Sequence, residues 1–192
     1  DAARLLLSSG GFDYIDLDVF GSPTPFLDAA CRRLSRGGVL ALTATDTAAL
    51  AGTYPAVCKR RYWAVPLRND LQHEIGLRIL IRKVQLIAAQ YDKALRPVFV
   101  HATNHYVRAY LEYTGAKMAI AEQLAQHTYF TYCGKCFTMH ATSLPSKLCA
   151  CGPHHHIAGP LYSGPLWDQS LCKRIEGSPD AETQSLLHSI VS

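Results

Sequence analysis

Short apolar runs alternate with segments of helical periodicity in the first part of the chain. Positions 12–18 (FDYIDLD) are apolar with acidic punctuation and contain no helix breaker, which predicts a short buried strand. Ser22 and Pro23 form a helix start, and the following segment, 24–36, ends at a Gly-Gly pair, so we predict a helix there. Positions 39–45 (VLALTAT) are continuously apolar, as in a strand covered on both faces. The order predicts a right-handed βαβ unit.

A long amphipathic helix is predicted over roughly residues 70–93, where apolar residues recur at helical spacing. Asn69 and Gln72 form a capping pair at its start. Arg78 and Arg82 lie on the opposite face, so we expect one side of the helix to pack on the sheet and the other to meet water or a phosphate.

The remaining elements divide the chain into two parts. We predict two further strands at 97–101 and 105–113 and a helix at 115–126. From Thr128 onward, cysteine, glycine, proline and a run of three histidines replace the long periodic segments. The sequence therefore predicts an α/β domain over residues 1–115 and a small α+β C-terminal domain over 116–192.

Composition excludes some classes of protein. Hydrophobic residues make up 48% of the 192, enough for a real core, and no uninterrupted apolar stretch reaches the length of a membrane helix. The 19 Lys and Arg against 15 Asp and Glu give a formal charge of +4, which favours polyanions only mildly. Seven cysteines, four of them closely spaced, favour a metal and a reducing compartment over disulfides. We expect a cytoplasmic protein, or a nuclear or organellar one if the source is eukaryotic.

The start of the chain is unusual for a complete domain. It opens on Asp1 without a methionine, and no glycine-rich turn precedes the first predicted strand. We therefore expect the sequence to begin inside a longer catalytic domain.

Acidic residues follow both strands of the βαβ unit. The carboxyl ends of parallel strands meet at one edge, where an open sheet binds its ligand, so Asp18 and Asp46 are expected to lie close together. In the string Asp18-Val19-Phe20-Gly21, the carboxylate is suited to accept hydrogen bonds from an exocyclic amine, and the ring to stack on a base. The glycine allows close backbone approach. The alternative is an ordinary turn or cap residue at position 18.

Several strings of the sequence together resemble one known family. DYIDLDVFGSP, GGVLALTATDTAALAG, HEIGLRILI, NHYVRAY and AGPLYSGPLWD occur in that order and cover most of the chain. They are similar to the tRNA guanine-26 N2-dimethyltransferase family. The resemblance implies the C-terminal half of a class I (Rossmann-like) S-adenosylmethionine-dependent methyltransferase sheet, followed by a tRNA-binding C-terminal domain. It also implies methylation of the N2 amine of guanosine 26, once or twice.

The resemblance also assigns roles to individual residues. Asp18 matches the catalytic carboxylate of the family and Phe20 its aromatic neighbour, whereas Val19 stands where the family has proline. Asp1 and Ala2 match a segment that contacts the adenine of the cofactor. We predict cofactor contacts for Asp1, Ala2 and Val19. Because the glycine-rich turn is absent, we expect this chain alone to bind S-adenosylmethionine weakly and to be inactive; micromolar affinity by isothermal titration would contradict this.

Four cysteines have the spacing of a zinc site. Cys133 and Cys136 form a Cys-x-x-Cys pair. After twelve intervening residues, Cys149 and Cys151 form a tighter Cys-x-Cys pair. Four thiolates in two close pairs suit tetrahedral zinc, and because no ligand position stays open, the role would be structural. Two alternatives remain: inert reduced cysteines, or a mixed site that uses a histidine from positions 154–156. The other three cysteines are expected to be buried or incidental.

Basic residues offer contacts to RNA. Five are predicted to bind it: Lys59, Arg60, Arg61, Arg78 and Arg108. The alternative for such charges is a solvated helix face. The expected partner is tRNA, with no membrane and no obligate protein partner. Two competing functions stay open, a non-catalytic zinc-containing RNA-binding module and an amino-methyltransferase that acts on DNA.

Overall fold

A four-stranded mixed sheet forms the first part of the molecule. The computed structural model describes residues 2–115, 117–144, 149–152 and 155–176. The strands are β1 (Phe12–Asp18), β2 (Leu34–Ala44), β3 (Leu95–Ala102) and β4 (Val107–Tyr113), in the spatial order β1-β2-β4-β3. β1 and β2 pair in parallel, whereas β4 runs antiparallel to both of its neighbours. The parallel pair and its connecting helix confirm the α/β prediction.

Seven α-helices and a second sheet complete the described part of the chain. The helices are α1 (Ala2–Ser8), α2 (Leu27–Arg33), α3 (Thr47–Leu50), α4 (Pro55–Tyr62), α5 (Gln72–Ala89), α6 (Lys117–Ala125) and α7 (Gln169–Glu176), and a 3-10 turn covers Thr24–Phe26. The second sheet contains β5 (His127–Cys133), β6 (Met139–Thr142) and β7 (His155–Tyr162), with β5 in the centre and all pairings antiparallel.

The helix of the βαβ unit is shorter than the sequence predicts. It ends at Arg33, three residues early, because Leu34 adopts an extended backbone and pairs with Phe12 at the start of β1. Leu34 is buried, with 2% of its surface exposed, so β2 begins there and runs through the two glycines. Burial of Leu34 against the sheet outweighs its helical propensity.

The environment predicted for α5 is wrong for the face that carries Arg78. One face packs on the first sheet as expected, but the opposite face packs against β7 of the second sheet. The Arg78 guanidinium donates to the carbonyls of Tyr162 (3.0 Å) and Gly164 (2.9 Å) and pairs with Glu74. The face that carries Arg78 is therefore an internal contact between the helix and the second sheet, since these groups satisfy the guanidinium.

One hydrophobic core joins the two sheets. Leu40 and Leu111 of the first sheet belong to the same buried cluster as Ile79 of α5 and Leu161 of β7. The boundary near residue 115 stays a prediction. Within the ranges described, no helix has the length and apolar character needed to cross a bilayer.

Candidate functional site

The ends of β1 and β2 form an open polar edge. Asp18 ends β1 and lies in register with Thr43 of β2, with Asp46 just beyond the end of β2. This is the placement that the sequence predicted from the parallel pair. The Asp18 side chain is 75% exposed, and Phe20 is fully exposed. The strand end therefore presents a carboxylate and an aromatic ring to solvent, two residues apart.

The loop after β1 is fixed to the end of β2. The Gly21 amide donates to Thr45 Oγ1 at 2.6 Å, and the Thr45 amide donates to the Gly21 carbonyl at 2.9 Å. Gly21 has a φ of 83°, a backbone conformation that glycine adopts without the clash of a Cβ atom. These two hydrogen bonds hold the loop that carries Val19 and Phe20, although Val19 cannot fix the backbone as a proline would.

Asp46 anchors α4 beneath this edge. Its carboxylate accepts from the buried Tyr62 hydroxyl (2.6 Å) and pairs with Arg61 (3.0 Å). The Tyr62 hydroxyl also contacts Ser22 Oγ at 2.8 Å. Burial, together with the Asp46 charge, raises the pKa of Tyr62. Asp46 thus connects α4 to the loop after β1, and sequence inspection missed this network because its members lie far apart along the chain.

Arg108 meets the carboxylates of β1. It is the second residue of β4 and lies in register with Thr43. Its guanidinium pairs with Asp16 at 2.7 Å and lies 3.8 Å from the Asp18 carboxylate. The sequence predicts an RNA contact for Arg108, but only 16% of this side chain is exposed. Burial lowers the pKa of Arg108. Hydrogen bonds with Tyr110 and Asp16 raise this pKa by more than burial lowers it, so the net shift is upward.

The other basic residues differ in their surroundings. Lys59 and Arg60 are exposed in the last turn of α4, and Arg61 is half-exposed beside Asp46. Arg78 is largely occupied by the second sheet, as described above. Tyr62 is completely buried, so it offers no ring to a base. RNA binding by these four basic side chains and by Arg108 stays a prediction.

The residues predicted to contact a cofactor are only partly described. Asp1 lies outside the described residues. Ala2 opens α1 and is exposed, and Val19 is half-buried in the loop after β1. Their contacts with S-adenosylmethionine stay predictions.

The four predicted cysteine ligands converge at the end of β5. The Sγ atoms of Cys133, Cys136, Cys149 and Cys151 all lie within 4.8 Å of one another. The Sγ–Sγ distance is 3.7 Å between Cys136 and Cys149 and 3.3 Å between Cys149 and Cys133. Tetrahedral zinc with ordinary Zn–S bonds requires about 3.8 Å between sulfur atoms. The donor set and its geometry are therefore compatible with a structural zinc ion.

The electrostatics of the cluster favour a cation. Hydrogen bonds from the Thr138 hydroxyl and amide lower the pKa of Cys136 to about 6, whereas interaction with Cys149 and Cys136 raises the pKa of Cys151 to about 12. The Cys151 amide points to the Cys149 sulfur at 3.3 Å. Several thiolates in such a small space repel one another unless a positive charge lies between them.

No histidine joins this cluster among the residues that the structure describes. The His155 ring contacts the Cys149 carbonyl at 3.1 Å through Nε2, and His154 lies outside the described residues. Cys31 and Cys58 are buried, and Cys172 is half-buried in α7, as the sequence suggested. The structure thus favours the four-cysteine site over the mixed one.

Comparisons with known proteins agree on one family. A sequence model described as N2,N2-dimethylguanosine tRNA methyltransferase matches residues 1–190. The tRNA (guanine(26)-N(2)/guanine(27)-N(2))-dimethyltransferase of Aquifex aeolicus is 45% identical over 163 residues, which are 83% of this chain and 42% of that protein. The tRNA (guanine(26)-N(2))-dimethyltransferase of Thermococcus kodakarensis is 42% identical over 91% of this chain and 45% of its own length.

A solved structure has the same fold. Trm1 from Pyrococcus horikoshii, in complex with S-adenosyl-L-methionine, superimposes with a TM-score of 0.83 at 35% sequence identity. The match covers 98% of this chain and 51% of that chain. This chain therefore spans about half the length of the relatives it matches.

Proposed function

Because the chain belongs to the N2,N2-dimethylguanosine tRNA methyltransferase family, we propose that it provides the amine-binding end of an active site for S-adenosylmethionine-dependent methylation of guanosine in tRNA. The substrate atom is the N2 amine of guanosine 26, which receives one or two methyl groups. The chain spans about half of its relatives, so the proposal concerns the whole protein of which these residues form a part.

The observation that carries this proposal is the exposed pair at the end of β1. The Asp18 carboxylate is 75% exposed and Phe20 is fully exposed. The loop that follows β1 is held to the end of β2 by the Gly21–Thr45 hydrogen bonds. A guanine drawn out of its helix can stack on the Phe20 ring with its amine directed to Asp18. A fixed loop with exposed functional groups is suited to orient a substrate.

The chemistry requires an oriented amine. S-adenosylmethionine supplies an electrophilic methyl group bonded to a sulfonium. Asp18 accepts hydrogen bonds from the N2 amine and directs its lone pair toward the methyl carbon. As the new N–C bond forms, the C–S bond breaks and its electron pair stays on sulfur, and the amine releases a proton to the carboxylate or to water. Ala2 and Val19 contact the cofactor in this proposal, as does Asp1.

RNA contacts belong to the same proposal. Lys59 and Arg60 project from the end of α4, the helix that Asp46 ties to the strand ends, and Arg61 adds a half-exposed charge. Phosphate groups that flank the target nucleotide suit these side chains. Arg78 contributes to RNA binding indirectly, because it holds the second sheet against α5.

We propose zinc as the ion of the cysteine cluster. Cys133, Cys136, Cys149 and Cys151 would all bind it, which leaves no position for a substrate or water, so the ion is structural. Seven free thiols suit a reducing compartment, and we propose the cytoplasm. Residues 116–192 are proposed as the tRNA-binding domain that this ion stabilises.

Label transfer tests the function. The full-length protein is incubated with tRNA transcripts or DNA and methyl-labelled S-adenosylmethionine, and the digested nucleosides are separated. We expect label in N2-methylguanosine and N2,N2-dimethylguanosine from tRNA. RNA binding without transfer would instead support a non-catalytic binding module, and label in DNA adenine or cytosine would support a DNA amino-methyltransferase.

A further inference from the structure

We propose that Arg108 is a positioning residue for Asp18, whose carboxylate it holds in place at the end of β1. The inference rests on the proposed function, in which Asp18 orients the amine. It assigns Arg108 a role within the protein in place of a direct contact with RNA.

Strand register brings the two residues together across a third. Asp18 of β1 pairs in register with Thr43 of β2, and Thr43 pairs in register with Arg108 of β4. In-register residues on neighbouring strands project from the same face of a sheet. The Arg108 side chain therefore crosses β2 above Thr43 to reach the carboxylates of β1.

Each nitrogen of the guanidinium has a partner. Nε donates to the Tyr110 hydroxyl at 2.8 Å, and Nη2 pairs with Asp16 at 2.7 Å. Nη1 donates to Thr43 Oγ1 and lies 3.8 Å from Asp18 Oδ1. Three of these contacts fix the guanidinium on three strands, so its position does not depend on Asp18. A cation held in this way attracts the exposed Asp18 carboxylate from a fixed position.

The two carboxylates of β1 explain why a cation is needed. Asp16 and Asp18 are two residues apart on one strand, so their side chains point to the same face. Two carboxylates in such proximity repel each other, which would turn the more exposed one away from the sheet. The Arg108 charge lies between them, bonded closely to Asp16 and more loosely to Asp18. The looser contact leaves the Asp18 carboxylate available to an amine.

A matched arginine separates positioning from general stability. Arg96 of β3 belongs to the same sheet and also joins two carboxylates, Glu112 and Asp168, each at 2.8 Å. Arg96 lies at the opposite end of the sheet from Arg108, since it pairs in register with Glu112 of β4, and Glu112 pairs with Val39 of β2. The Arg96 side chain is 50% exposed against 16% for Arg108, so its loss should affect folding less, and without an effect on Asp18.

The test compares Arg108→Gln, Arg108→Lys and Arg96→Gln in the full-length protein. For Arg108→Gln we expect kcat to fall up to about 100-fold, the typical effect of a misplacement of roughly 1 Å, with KM for tRNA unchanged. Arg108→Lys should restore part of kcat because it keeps the charge. Arg96→Gln should keep kcat near that of the wild type, and melting temperatures of all variants are measured in parallel.

A double variant gives the strictest readout. If Arg108 acts through Asp18, Arg108→Gln should cause no further loss in a protein that already carries Asp18→Asn. A raised KM with unchanged kcat would make Arg108 an RNA contact and overturn the inference, as would multiplicative losses in the double variant or an equal loss of kcat in Arg96→Gln. A wild-type protein that transfers no methyl to guanine would instead refute the proposed function.

Discussion

The strand end at Asp18 and the cysteine cluster are built in opposite ways. At the strand end, Asp18 and Phe20 face solvent while the backbone behind them is fixed. In the cluster, Cys133 is 1% exposed and the four sulfur atoms face one another within 4.8 Å. Groups that face outward on a rigid support are available to a substrate, whereas groups that converge are available to a single ion.

The difference predicts which losses affect activity and which affect stability. Removal of an outward-facing group should reduce turnover and leave the fold intact. Removal of a converging group should reduce ion binding and stability, with activity following only because the fold is lost. Four variants test this contrast, in order of decreasing expected effect.

Asp18→Asn should have the largest effect on activity. The amide cannot accept hydrogen bonds from the amine in the same way or take its proton, so kcat of the full-length protein should fall about 10²–10⁴-fold. Affinity for tRNA should stay close to that of the wild type. Asp13→Asn, which changes an exposed carboxylate at the other end of β1, is the control. A variant Asp18→Asn with wild-type turnover would remove Asp18 from the mechanism.

Cys133→Ser should have the largest effect on stability. Elemental analysis should show that zinc falls from about one ion per chain to about none, because a structural site needs all four ligands. The melting temperature should fall by roughly 5–10 °C. Cys172→Ser, at a half-buried cysteine outside the cluster, should change neither quantity much. Unchanged metal content in Cys133→Ser would mean that the cluster does not hold the ion.

Phe20→Ala should have an intermediate effect. Stacking of a base on an aromatic side chain contributes about 1–3 kcal/mol, so kcat/KM should fall about 5- to 150-fold. Phe137→Ala removes a second exposed ring, 70% exposed beside the cysteine cluster, and should leave kcat/KM nearly unchanged. Equal losses in the two variants would contradict a specific role for the ring next to Asp18.

Substitution of both Lys59 and Arg60 by Ala should have the smallest effect. If each side chain neutralises one phosphate, the slope of log K for tRNA binding against log salt should decrease by about 2. The kcat value at saturating tRNA should not change. Arg32→Ala, at an exposed arginine of α2 that has no proposed RNA contact, is the control. A salt dependence identical to that of the wild type would place the RNA elsewhere.

Local patterns predicted one class of feature well. The bounds of β1, the parallel pairing of β1 with β2 and the convergence of the cysteines all follow from residues close together in sequence or from the end of a strand. Each depends on one periodicity or one spacing, which the sequence displays directly.

Long-range contacts decided the features that the sequence missed. Arg108 reaches Asp16 across 92 positions, and Arg78 reaches Tyr162 across 84. The sequence around either arginine does not distinguish these contacts within the fold from a contact with phosphate, because the distant partner is brought in by tertiary packing. The early end of α2 has the same origin, since Leu34 joins the sheet through its pairing with Phe12.

The most direct test removes one functional group, the N2 amine, from the substrate. Inosine lacks the N2 amine of guanosine, so a tRNA with inosine at the target position keeps its shape but offers Asp18 nothing to orient. The full-length protein should transfer labelled methyl to the guanosine tRNA and none to the inosine tRNA, while it binds both with similar affinity. Transfer of label to the inosine tRNA would contradict the account, because the methyl acceptor would then be an atom other than N2.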